Sequence, residues 1–239
     1  MKFGLVKTSL IDYPGVVAAV LFTHGCNLRC PYCHNPDLVL PPPPADMLDA
    51  EDVLAFLHAR RRVLEGVCVS GGEPLLYTGL PELLHEIRAL GYKIKIDTNG
   101  SLPQVLKTLS VDYIAMDIKT LPEKYAALLP FSAAPEKDAH SLAEALRESI
   151  AYITGCGIDH EFRTTAAPGI FLEEDIPQLA RLLQGSRRYI LTGMRPGVTL
   201  DEEYGKTSPY PEETLARMCA AFRDAGLDCS IRGKERSKE

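Results

Sequence analysis

Short apolar runs alternate along this chain with longer amphipathic ones. Val16 to Phe22 is apolar and rich in β-branched residues, and Gly66 to Val69 repeats the pattern before Ser70-Gly71-Gly72. Lys93 to Ile96 alternates polar with apolar residues. Tyr113 to Ile118, His160 to Thr165, Tyr189 to Thr192 and Cys229 to Ile231 complete the strand-like set. Helical patterns lie between them. Asp49 precedes Val53, Leu54, Phe56 and Leu57, which share one helical face, and Arg60-Arg61-Arg62 closes that helix. Thr78 is placed to cap a helix carrying Leu83, Leu84 and Ile87, ended by Gly91. Ser141 and Glu144 match a capping box, in which each satisfies a free backbone donor at a helix start. That helix turns Leu142, Leu146, Ile150 and Ile153 inward and stops near Gly155. Pro211 suits the first turn of a last helix, with Leu215, Met218, Cys219 and Phe222 inside and Gly226 at its end.

Strands that alternate with helices imply parallel pairing, because each strand returns across a covered face. Six or seven such units predict an α/β fold built as a partial (β/α)6-type open barrel of mostly parallel strands. A doubly wound sheet is the competing arrangement. Residues 1–239 are expected to form one domain. Its core runs from about 10 to 196, a helix and strand occupy 211–232, and a solvated tail follows from 233. Pro41-Pro42-Pro43-Pro44 reads as a stiff surface connector.

Composition narrows the function classes. A 46% hydrophobic content supports a sizeable core, and a net charge of −6 argues against nucleic acid as a partner. No apolar run approaches the ~20 residues of a membrane span. The start, Met1-Lys2-Phe3-Gly4-Leu5, lacks the apolar core of a signal peptide. Seven cysteines without an export signal point to a reducing compartment, and the cytoplasm is the expected location.

Three of those cysteines, Cys26, Cys30 and Cys33, form a C-x-x-x-C-x-x-C run just after the first strand pattern. Three thiolates so close in sequence suit one face of an iron–sulfur cube and leave its fourth iron open for chemistry. With His34 they also offer the sulfur and nitrogen ligands of a tetrahedral zinc site, although no second C-x-x-C is present to pair with them. Cys68, Cys156, Cys219 and Cys229 are isolated and read as small buried apolar residues, so a single cluster is expected.

The other polar motifs also fall at strand ends. Gly71-Gly72-Glu73-Pro74 follows the second strand pattern, Asp97-Thr98-Asn99-Gly100 ends the third, and Asp117 and Lys119 end the fourth. Arg163-Thr164-Thr165 lies on the fifth. In a parallel barrel all these ends share one rim, which hosts the chemistry. Each motif has a plainer reading. The glycines suit a tight turn, the aspartates suit helix caps or surface ion pairs, and Arg163 suits a rim salt bridge.

The cysteine run, with aromatic Tyr32 just before its last member, resembles the radical S-adenosylmethionine (SAM) superfamily. Ile11-Asp12-Tyr13-Pro14-Gly15 and Cys30-Pro31-Tyr32-Cys33-His34-Asn35-Pro36 resemble the glycyl-radical activating enzymes within it, most closely the activators of anaerobic ribonucleoside-triphosphate reductase. The likeness runs from about Leu10 to Pro196. It implies a 4Fe–4S cluster on Cys26, Cys30 and Cys33, with SAM on its open iron. Gly71, Gly72 and Glu73 would meet the SAM ammonium group. Asp97, Thr98 and Asp117 would help hold a monovalent cation beside the SAM carboxylate, near Lys119. Arg163 would contact SAM, with Arg195 a weaker candidate. The implied partners are a glycyl-radical protein and a flavodoxin or ferredoxin. Another radical SAM activity, including activation of pyruvate formate-lyase, and a zinc-binding interaction module are the alternatives.

Overall fold

Runs of β-branched and small apolar residues form the strands here because parallel strands covered on both faces can be apolar throughout. In the computed structural model, which describes residues 2–130 and 135–233, strands and helices alternate in chain order from the second strand on. They are β1 (Lys2–Ser9), β2 (Ala18–Thr23), α1 (Pro36–Val39), β3 (Leu48–Asp49), α2 (Ala50–Arg60), β4 (Gly66–Gly71), α3 (Leu80–Ala89), β5 (Lys93–Thr98), α4 (Pro103–Leu106) and β6 (Tyr113–Asp117). They continue as α5 (Pro135–Gly155), β7 (Asp159–Ala166), α6 (Ile176–Leu182), β8 (Tyr189–Gly193), α7 (Glu212–Asp224) and β9 (Cys229–Ile231).

The chain divides into two units. The first takes in the chain up to Leu28, then Asn35–Thr98 and Gln104–Ala115. The second takes in Arg29–His34, Asn99–Pro103 and the chain from Met116 on. In the first, strand order is β3-β1-β2-β4-β5, continued by the start of β6. β2 with β4 and β4 with β5 are parallel, and the β1 pairings are antiparallel. Val20, Leu21, Val67, Val69, Ile94 and Ile96 are buried on these strands, with Val53 and Leu57 of α2 and Leu84 and Ile87 of α3. In the second, the end of β6 precedes β7, β8 and β9. β7 with β8 and β8 with β9 are parallel. Phe162, Leu191, Ile150 and Ile153 are buried there. The Phe222 ring lies 4.4 Å from that of Tyr189 and 6.3 Å from that of Phe171.

The expected α/β class with mostly parallel strands is what forms, and each strand pattern read from the sequence lies within a residue or two of a strand. β1 and β3 were not expected. Two helix starts are corrected. α3 begins at Leu80 after Gly79 with no side-chain cap, so Thr78 does not cap it. α5 begins at Pro135, which places Ser141 and Glu144 inside the helix, and Glu144 instead pairs with His140 at 3.3 Å. Pro41 to Pro43 are exposed, as a surface connector requires. The tail expected from 233 on lies almost wholly outside the described residues. No described helix is long and apolar enough to cross a membrane.

Candidate functional site

Cys26 lies in the loop that leaves the C-terminal end of β2, where Thr23 is fully buried and its hydroxyl donates to the Ser70 carbonyl at 3.2 Å. That loop is pinned by backbone bonds. Gly72 N donates to Thr23 O at 2.9 Å, Glu73 N to Gly25 O at 2.8 Å, and Gly25 N to Leu38 O at 2.7 Å. Two glycines make this approach possible. A Cβ on Gly71, whose φ is +129°, would run into the Thr23 backbone, and one on Gly72 would run into the Gly25 carbonyl. Their first task is therefore packing. They bring the end of β4 against the loop that carries Cys26.

Glu73 is 1% exposed. Its Oε1 accepts the Thr98 hydroxyl at 2.8 Å and the Leu75 N–H at 3.1 Å, so the ends of β4 and β5 are tied through one carboxylate oxygen. A buried carboxylate held in this way suits a cationic ligand group. Asp97, two residues along β5 from Lys95, pairs with the Lys95 ammonium.

Cys30, Tyr32 and Cys33 lie in the second unit, on the segment Arg29–His34. Arg29 N donates to Leu128 O at 2.7 Å, and Cys33 N to Cys30 O at 3.0 Å in a turn that returns the chain between the two cysteines. Leu200 N to Cys33 O at 2.9 Å and Asp201 N to Pro31 O at 3.1 Å pin the same segment to the loop after β8. His34 Nδ1 meets the Val198 carbonyl at 3.2 Å. The Tyr32 ring is buried, 6.2 Å from that of Tyr204. Burial, reinforced by Cys30 alongside, pushes the Tyr32 hydroxyl well above its ordinary pKa.

The surroundings of Cys26 and of Cys30 each suit a cluster thiolate. All three cysteines are free of disulfides. The Leu28 N–H points at Cys26 Sγ at 3.4 Å, the kind of hydrogen bond to sulfur that tunes cluster potential. The Tyr32 hydroxyl is buried beside Cys30 without a well-formed hydrogen bond, and a cysteine thiolate would give it an acceptor.

Asp117, at the end of β6, sits between Arg163 Nε at 2.8 Å and Lys119 Nζ at 3.0 Å. Burial opposes the charged carboxylate. Arg163 and then Lys119 more than offset that cost and hold Asp117 well below the usual carboxylate range. Burial likewise opposes charge on Lys119, and Asp117 reverses it, so the ammonium keeps its proton more firmly than a free lysine. Backbone bonds fix the frame. Ile118 N donates to Arg163 O at 2.7 Å, and Lys119 N donates to the Tyr125 hydroxyl at 2.8 Å. The Thr164 hydroxyl donates to Ile118 O at 2.8 Å and accepts from Tyr189 at 2.6 Å.

The expected residues thus form two described groups. One holds Cys26, Gly71, Gly72, Glu73, Asp97 and Thr98, and the other Cys30, Tyr32, Cys33, Asp117, Lys119 and Arg163. Arg195 is exposed and joins neither. Sequence reasoning missed Lys95, Tyr125 and Tyr189. Only Lys95 left a signal, as a charge inside a strand pattern.

Comparison with known proteins gives concordant results. The family model described as Radical SAM superfamily matches residues 20–183. The chain is 32% identical over 233 residues to the "Putative glycyl-radical enzyme activating enzyme MJ1227" of Methanocaldococcus jannaschii, covering 94% of this chain and 92% of that one. It is 39% identical over 95 residues to the pyruvate formate-lyase-activating enzyme of Staphylococcus epidermidis, 38% of each chain. Among solved structures, Streptococcus suis SuiB bound to S-adenosylmethionine superposes with a TM-score of 0.65 at 17% identity. That match covers 90% of this chain and about half, 52%, of SuiB, and it is a likeness of fold.

Proposed function

We propose that this chain, which belongs to the radical SAM superfamily and to its glycyl-radical enzyme activating branch, generates a glycyl radical on a partner protein, with anaerobic ribonucleoside-triphosphate reductase as that partner. The likeness running over nearly the whole length of a glycyl-radical activating relative supports this reading most. When bound, a 4Fe–4S cluster and SAM together supply one-electron cleavage of the sulfonium and a 5′-deoxyadenosyl radical able to take a hydrogen atom from glycine.

The chain's own residues bind, orient and shield. Cys26, Cys30 and Cys33, within eight consecutive residues, would be the three thiolate ligands. The Leu28 N–H on Cys26 Sγ and the Tyr32 hydroxyl beside Cys30 would stabilise thiolate charge. Glu73, held by Thr98 and Leu75, would receive the SAM ammonium. Arg163 and Lys119 both pair with Asp117, and Glu161 lies 3.9 Å from the Arg163 guanidinium; the two cations would offer donors to the SAM carboxylate. A flavodoxin or ferredoxin would deliver the electron.

The test is anaerobic reconstitution with iron, sulfide, SAM and reduced flavodoxin, with electron paramagnetic resonance reading the radical on added protein. Anaerobic ribonucleotide reductase should acquire a glycyl radical. A radical on pyruvate formate-lyase instead reassigns the target, an arm motivated by the second relative. Deoxyadenosine formed with no radical on either protein overturns both targets. Cys30→Ala should lose cluster and radical together.

A further inference from the structure

One buried charge has no part in the chemistry above. In Lys93-Ile94-Lys95-Ile96-Asp97 the alternation puts three charged residues on one side of β5. Lys93 is exposed, whereas Lys95 is 1% exposed. Its ammonium pairs with Asp97, lies 3.7 Å from Cys68 Sγ and sits 5.9 Å from the centre of the Tyr113 ring. An ammonium is costly to bury unless it is paired, so a lysine here needs a reason.

Asp97 and Thr98 supply that reason. They are the β5 residues that the family likeness offers to a monovalent cation. In this chain the Asp97 carboxylate is already in contact with an ammonium. A metal cation on Asp97 would have to share its carboxylate with Lys95 and would be repelled by it at close range. We infer that Lys95 is a built-in counter-ion, whose ammonium does at the end of β5 what a bound Na⁺ or K⁺ would otherwise do, so that SAM binding needs neither ion there. Lys95 is then a positioning residue, acting through Asp97 on the ligand. The inference rests on the reading that this strand end borders SAM.

The experiment compares SAM affinity of the reconstituted protein in buffers whose only monovalent cation is tetramethylammonium, Na⁺ or K⁺. Wild type should bind with the same affinity in all three, within about twofold. Lys95→Met should bind roughly tenfold or more weakly in tetramethylammonium and regain most of that loss in Na⁺ or K⁺. A wild type that binds SAM only with Na⁺ or K⁺ overturns the inference, and so does a Lys95→Met variant indifferent to the salt. If Lys95→Met does not fold, the wild-type comparison alone decides. Thermal melting of the unreconstituted proteins in the same salts is a separate arm. Na⁺ or K⁺ should raise the melting point of Lys95→Met and leave that of wild type unchanged, and the reverse pattern overturns the inference. If wild type binds no SAM in any salt, the reading of the site falls, and melting still decides the role of Lys95.

Discussion

The ends of β5 and β6 each carry an aspartate and a lysine two residues away, yet the two pairs differ. At β5 the lysine precedes the aspartate, and the side chains of Lys95 and Asp97 are 1% and 12% exposed. At β6 the lysine follows, Arg163 joins it, and the Asp117 side chain is 33% exposed. The drier pair has a lysine directly on its carboxylate, because an uncompensated charge there has no water to fall back on. The wetter one sets two cations against Asp117, with Glu161 3.9 Å from Arg163, and solvent screens the group. One arrangement is suited to holding structure, and the other is suited to meeting an anionic ligand.

The largest expected effect is on stability at β5. Lys95→Met leaves Asp97 buried without its ammonium and should cost about 3–5 kcal/mol. Lys119→Met, at a site that water reaches, should cost about 1 kcal/mol. Urea unfolding of the two variants without cluster or ligand measures both. Equal losses would break the comparison.

A smaller effect sharpens it. Thr98→Val removes the hydroxyl that donates to Glu73 Oε1 and leaves the Leu75 N–H in place. The cost should be about 1.5–3 kcal/mol, the range for a hydrogen bond to a charged group. It should come with weaker SAM binding, since Glu73 loses its orientation. A Thr98→Val protein with unchanged stability and unchanged SAM affinity would separate Glu73 from β5.

The same contrast shows what the sequence could and could not reveal. Cys26, Cys30 and Cys33 were legible because cluster ligands lie within eight residues of one another and need no knowledge of the fold. Strand ends were legible because parallel strands here are apolar runs cut off by polar residues. Lys95 was not. Its alternation with Ile94 and Ile96 says which side of the strand it takes, but not that this side is buried. The glycines of Gly71-Gly72 were legible as special and misjudged in emphasis. Their close partner is the backbone at Thr23–Gly25, a contact 47 or 48 residues away in sequence that no local pattern encodes. β1 escaped because Lys2–Ser9 mixes charged and exposed residues, and its pairing with β2 supplies the order that its own pattern lacks. The start of α5 escaped for the opposite reason. Ser141 and Glu144 satisfy the capping pattern, but the helix had already begun at Pro135.

The smallest effect tests the β6 group through acidity. Arg163 and Lys119 hold the Asp117 pKa below its unfolded value, against the opposing cost of burial. A carboxylate with a depressed folded pKa stabilises the protein at all pH values above its unfolded pKa. That contribution fades as pH falls below about 4 and is gone only once pH passes the lower folded value. Asp117→Asn cannot titrate, so the stability gap between wild type and this variant should be widest at neutral pH. Because water reaches Asp117, the gap should be only about 1 kcal/mol, and it should narrow steadily from about pH 4 downward. Urea midpoints at pH 7, 4 and 3 measure it. A gap that stays constant across that range would mean that the two cations do not act on Asp117 through its charge, and the contrast with the Lys95–Asp97 pair would then rest on burial alone.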